Sequence, residues 1–152
     1  MNAAERSPAQ RHADVVATPA SDVMSQPVMS VSQELCVGDA LTAMVASGLR
    51  HLVVVDDGSR CLGIITDRAI ASAWATDPTA LTRQSVRALL DSRPAIVGRD
   101  ALVQDVARTM FVDGVDAVAV IDRSGHAVGI VTGSDLVALM ATCARDEHLP
   151  DE

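Results

Sequence analysis

The sequence predicts an α+β protein made of two β-α-β-β-α repeats related by a pseudo-two-fold axis. Two observations carry this. The chain matches itself at a lag of 66 residues, and each copy runs through the same succession of periodicities. In that register Asp39, Met44, Gly48, Val54, Asp56, Gly63, Ile64 and Thr66 meet Asp105, Met110, Gly114, Val120, Asp122, Gly129, Ile130 and Thr132. Conservative pairs lie between these identities, such as Leu52 with Val118 and Ile65 with Val131. Upstream, Pro27 aligns with Pro94 at a lag of 67, which places a gain or loss of one residue before the first helix of a copy.

Each copy opens, just after its proline, on a short strand expected at residues 28–31 and 95–97. A helix follows, with Val37, Leu41, Met44 and Val45 at helical spacing, matched by Val103, Val106, Met110 and Phe111. Gly48 and Gly114 stand where a helix ends in the left-handed conformation. The β-branched runs at 51–56 and 117–122 read as strands covered on both faces. Turns at 57–59 and 123–125 lead into second strands that end on Thr66 and Thr132, and then into helices at 67–75 and 133–144. Strands of about five residues cannot bury themselves alone. Two copies packed sheet to sheet can. The expected organisation is a disordered N-terminal tail at 1–19, a first motif at 20–75 and a connector with Pro78 at 76–85. A second motif at 86–142 and an acidic C-terminal tail at 143–152 complete it.

Composition narrows the function. Hydrophobic residues make up 49% of the 152, enough for a core, and Trp74 and Phe111 are the only aromatics. A net charge of -8 with so few aromatics argues against a nucleic-acid partner. All 12 basic residues are Arg, which removes Lys-based Schiff-base chemistry and the P-loop lysine. Cys36, Cys61 and Cys143 form no CxxC pair and have no zinc spacing, so they read as small hydrophobes in a reducing compartment. The first residues lack an apolar signal region, and no apolar run approaches the ~20 residues of a membrane span. A cytoplasmic location without a membrane partner is expected. No catalytic or metal-binding set emerges: His12 and His148 lie in the tails, His126 at a turn, and His51 beside a strand. No Gly-x-Ser-x-Gly elbow occurs. The expected protein is not an enzyme.

The segment Arg-His-Leu-Val-Val-Val-Asp at 50–56, the segment Gly-Ile-Ile-Thr-Asp-Arg at 63–68 and the opening Asp-Val-Met-Ser-Gln-Pro-Val at 22–28 resemble the CBS-domain family. The resemblance covers roughly residues 22–140 and occurs twice, so the chain looks like a stand-alone CBS pair. It implies one module with two clefts between the motifs, a habit of homodimerisation, and adenosine nucleotides as common ligands. The family's Gly-h-h-Thr/Ser-x-x-Asp signature is present as Gly129, Thr132 and Asp135. The first copy keeps Gly63 and Thr66 but has Ala69 in place of the Asp. Thr132 and Asp135 read equally as a helix capping box, and capping and ligand binding can coexist. Arg50, His51 and Arg68 face counterparts Asp116, Ala117 and Ser134, none of them basic. The resemblance implies that Arg50 and His51 contact phosphates of a nucleotide whose ribose is held at Asp135. It places Val28, Met29, Ala95 and Ile96 along the clefts. The expected ligand-binding set is therefore Asp135, Thr132, Arg50, His51, Thr66, Arg68, Ala95 and Ile96. The functional expectation is a regulatory module that senses an AMP-, ADP- or ATP-type nucleotide, with no fixed cofactor, and signals to an unidentified regulated protein. A ligand-free interaction and dimerisation module is the alternative.

Overall fold

In the computed structural model, which describes residues 7–145, the two repeats are built alike. The first contains β1 (Ser30–Ser32), α3 (Val37–Ser47), β2 (His51–Val55), β3 (Cys61–Thr66) and α4 (Asp67–Thr76). The second contains β4 (Ile96–Gly98), α6 (Val103–Asp113), β5 (Ala117–Ile121), β6 (Ala127–Thr132) and α7 (Gly133–Arg145). Helices α1 (Pro8–Val16) and α2 (Ala20–Val23) precede the first repeat. Helix α5 (Ala80–Arg83) and a 3₁₀ turn (Val86–Leu89) precede the second. Each sheet has three strands, the first two parallel and the last two antiparallel, in the order β1-β2-β3 and β4-β5-β6. Both sheets bulge at the same place, between Val54 and Val55 and between Val120 and Ile121.

Hydrogen bonds repeat at the lag of 66 found in the sequence. The Val37 N–H donates to the Gln84 carbonyl at 2.9 Å, and the Val103 N–H to the Thr18 carbonyl at 2.8 Å. The Val86 N–H donates to Leu35 at 2.8 Å, and the Ala20 N–H to Ala101 at 2.7 Å. The segment leading into each repeat is thus docked on the other repeat. Val86 joins the core of Val37, Met44, Leu52, Ile65 and Ile70, and Ala20 joins that of Val106, Met110, Val118 and Val131. A third cluster, Val53, Ala117 and Ile130 with Val28 and Ile64 against it, sits where the two sheets meet.

Four sequence expectations shift. The lag is 66 both in the lead segments and at the first strands, where Ser30 pairs with Val53 and Ile96 with Ala119. No residue is gained or lost. Pro94 instead occupies the place of Val28, and the strands begin later than expected because only the carbonyls of Met29 and Ala95 enter the ladder before Ser30 and Ile96. Val45 and Phe111 are 77% and 88% exposed. The buried stripes are Val37, Ala40 and Met44, and Val103, Val106 and Met110, and the next residue along a helix lies about 100° off such a stripe. Within the stretch expected to be a tail, Ser7 caps α1 in a reciprocal box with Gln10, Pro8 starts the helix, and α1 packs on α6 and α7. Residues 146–152 of the expected acidic tail lie outside the described residues. Among the described residues no helix is long and apolar enough to cross a membrane.

Candidate functional site

The first repeat's β3 ends in the 2-period of a strand and passes at Thr66 into the 3.6-period of α4, which puts a helix N-terminus at the sheet edge. Thr66 caps that helix, its hydroxyl accepting the Ala69 N–H at 3.1 Å. The Asp67 N–H donates to the Arg50 carbonyl at 3.1 Å, and the Arg68 N–H to the Asp67 carboxylate at 2.8 Å. These contacts tie the backbone of Arg50, just before β2, to the first turn of α4, which carries Arg68.

This corner forms one wall of a cleft of about 870 Å³ between the repeats. Gly63, Ile64 and Ala69 line it on the first repeat, and Met110, Phe111, Gly114, Asp116 and Ala117 on the second. Leu89, Leu90, Asp91, Pro94 and Ala95, on the way into β4, also line it. His51 also lines it, with His51 Nε2 3.3 Å from the Asp116 carboxylate. Asp116 is the repeat counterpart of Arg50, so the pair joins the two repeats across the pseudo-two-fold.

Five of the eight expected site residues line this cleft: Arg50, His51, Thr66, Arg68 and Ala95. Thr132, Asp135 and Ile96 are outside its lining. The Asp135 carboxylate is already engaged at three points. It accepts the Thr132 N–H at 2.8 Å and the Thr132 hydroxyl at 3.2 Å on one oxygen, and the Ser25 hydroxyl at 3.3 Å on the other. The N–H of Gly133, at the start of α7, is taken by the Asp116 carbonyl at 3.0 Å. Capping, the bland reading of Thr132 and Asp135, thus accounts for contacts that are present. The three cleft carboxylates Asp67, Asp91 and Asp116 are cleft residues that the sequence reading did not select. Asp116 was visible as the counterpart of Arg50, and Asp67 as the first residue after the Thr66 cap.

A model of the family described as CBS domain matches residues 20–76 and 86–142. A homoserine O-acetyltransferase of Methanosalsum zhilinae is 34% identical over 120 residues, which are 79% of this chain but 23% of that protein. A CBS domain-containing protein of Dictyostelium discoideum is 28% identical over 129 residues, covering 78% of this chain and 88% of the relative. Among solved structures, the CBS domain pair of protein MJ0100, in complex with 5′-methylthioadenosine and S-adenosyl-L-methionine, superposes with a TM-score of 0.74 at 25% identity. That match covers 83% of this chain and 98% of the other.

Proposed function

The chain belongs to the CBS-domain family as a tandem pair, and from that premise we propose that it is a regulatory module that takes an adenosine-type ligand in the cleft between its repeats. The observation that carries the reading is the cleft itself. It is bounded by both repeats, has an apolar floor of Ile64, Leu90 and Met110, and carries a polar rim of Arg50, His51, Thr66 and Arg68. A ligand there touches both halves of the pair, so its binding free energy depends on how the halves sit, and occupancy can be passed to a bound protein or to a second copy of the chain. The adenosine compounds in the MJ0100 pair support the ligand class.

The role is binding without turnover. The acetyltransferase relative is matched through 23% of its length, and its activity stays with that protein. Within this cleft the Thr66 hydroxyl and the Asp67 carboxylate are engaged in capping α4. We place the module in the cytoplasm, as a homodimer. The ligand-free alternative has one observation in its favour, the engagement of Asp135 by Ser25 and Thr132, and it applies to the second repeat only.

Thermal melting against adenosine, AMP, ADP, ATP and guanine counterparts tests the reading, since a ligand that binds only the folded state raises the melting temperature. An adenosine compound is expected to raise it, and the guanine compounds are not. No shift with any of them at millimolar concentration would overturn the reading.

A further inference from the structure

We infer that the ligand of this cleft is an adenosine derivative whose 5′ substituent is neutral or cationic, and that Asp67 is the residue that turns a phosphate chain away. The inference rests on the cleft-binding reading above and narrows it. A helix N-terminus welcomes phosphate when its first N–H groups are unoccupied. Those of α4 are not. The Asp67 N–H is taken by the Arg50 carbonyl, the Arg68 N–H by the Asp67 carboxylate, and the Ala69 N–H by the Thr66 hydroxyl. The chain's own anion already stands at the positive end of the helix dipole.

The charges of the rim point the same way. Two guanidinium groups, Arg50 and Arg68, meet three carboxylates, Asp67, Asp91 and Asp116, in a chain of net charge -8. His51, the remaining basic group, lies against Asp116 at 3.3 Å. A phosphate chain entering here would meet more carboxylates than guanidinium groups and would have to displace Asp67 from α4. A neutral or positive 5′ group meets neither cost, and a positive one gains from Asp91 and Asp116. These rim charges are exposed, so the discrimination is of the order of tenfold rather than absolute.

Calorimetric titration with adenosine, 5′-methylthioadenosine, S-adenosylmethionine, AMP and ATP reads this directly. The three compounds without phosphate are expected to bind, with ATP at least about tenfold weaker than adenosine. Asp67→Asn keeps an oxygen for the Arg68 N–H while removing the charge. It is expected to narrow the gap between ATP and adenosine affinity measured in the same variant, in protein whose melting temperature matches the parent. ATP or AMP binding more tightly than adenosine, or an unchanged gap in Asp67→Asn, overturns the inference and leaves the cleft reading standing. Heat-silent titrations with all five, with no melting shift, overturn both.

Discussion

Ser25 and Ile130 exchange two backbone hydrogen bonds, at 2.8 and 3.2 Å, which the equivalent pair Asp91 and Ile64 does not make among the described residues. Elsewhere the repeats agree closely: the Asp67 N–H on Arg50 is matched by the Gly133 N–H on Asp116, and the Asp56 N–H on Arg60 by the Asp122 N–H on His126. The departure from symmetry therefore falls at the cleft. In the second repeat the segment around Ser25 covers Ile130, whereas in the first Ile64 remains in the lining.

That seal has a packing requirement. A Cβ added to Gly129 would collide with the Met24 side chain, and the Met24 Cβ itself lies 2.8 Å from its position. Gly129→Ala is expected to lower stability by about 1–3 kcal/mol through overpacking. Met24→Ala in the same chain should recover part of that loss, although it removes buried surface of its own. Urea unfolding of the two single variants and the double variant gives the coupling. Strict additivity would show that Met24 does not press on Gly129.

Acid weakens a second pair of contacts. In the turn after β5 the Asp122 carboxylate accepts the His126 N–H at 3.0 Å and the Ser124 N–H at 2.9 Å. The His126 N–H, first, holds this carboxyl below its ordinary value against the opposing effect of desolvation, helped by the Ser124 N–H, the imidazole charge and the Gly125 N–H. Asp77, bonded by the Thr79 hydroxyl and N–H, is lowered in the same way. A carboxyl depressed in the folded chain contributes stability above its unfolded value, and that contribution is lost as pH falls through the folded value. Asp122→Asn, which keeps the acceptor, should flatten the acid limb of a stability-versus-pH curve. Unfolding midpoints collected from neutral pH into the acid range check it, and a limb as steep as the parent's would refute it.

The repeat was legible because its identities fall on positions that perform the same task twice. Gly48 and Gly114 end their helices at φ 72° and 65°, and Asp56 and Asp122 accept the N–H groups of their turns. The docking of each lead segment on the other repeat was not legible. Its bonds, Val37 to Gln84 and Val103 to Thr18, run between backbone groups that every residue carries, so no side-chain pattern announces them. The sealing of Asp135 escaped for a related reason. Thr-x-x-Asp states that a cap is available, while Ser25 arrives from 110 residues away. Asp67 was hidden by role: next to a threonine cap, an acidic residue looks like ordinary helix-dipole decoration.

Exposed apolar groups on α6 and α7 bear on assembly. Phe111, Val112, Val137 and Met140 are 88%, 72%, 68% and 68% exposed, on two helices that touch each other, which makes these helices a candidate contact face between copies. Sedimentation at micromolar concentration should give twice the 15.9 kDa chain mass. Met140→Glu should shift that species toward the monomer without lowering unfolding stability at high dilution. A parent protein that sediments as a monomer would defeat the expectation.

The two repeats should answer differently to substitution. Asp135→Ala removes an acceptor from the Thr132 N–H and the Ser25 hydroxyl, outside the cleft lining. Its expected signature is a stability loss of about 1 kcal/mol, the ordinary cost of a helix cap, with adenosine affinity unchanged. Ala95→Phe is the converse. Ala95 is half-buried in the lining, and its carbonyl bond to the Ala119 N–H at 3.0 Å does not involve the side chain. A phenyl ring there projects into the cleft at small cost to the fold and should weaken adenosine binding by more than about tenfold. Urea unfolding and calorimetric titration on both variants separate the effects. If Asp135→Ala instead weakens binding ten- to a hundredfold, the scale of a lost charge-assisted hydrogen bond of about 1.5–3 kcal/mol, then the ligand opens the Ser25 seal and sits on the second repeat.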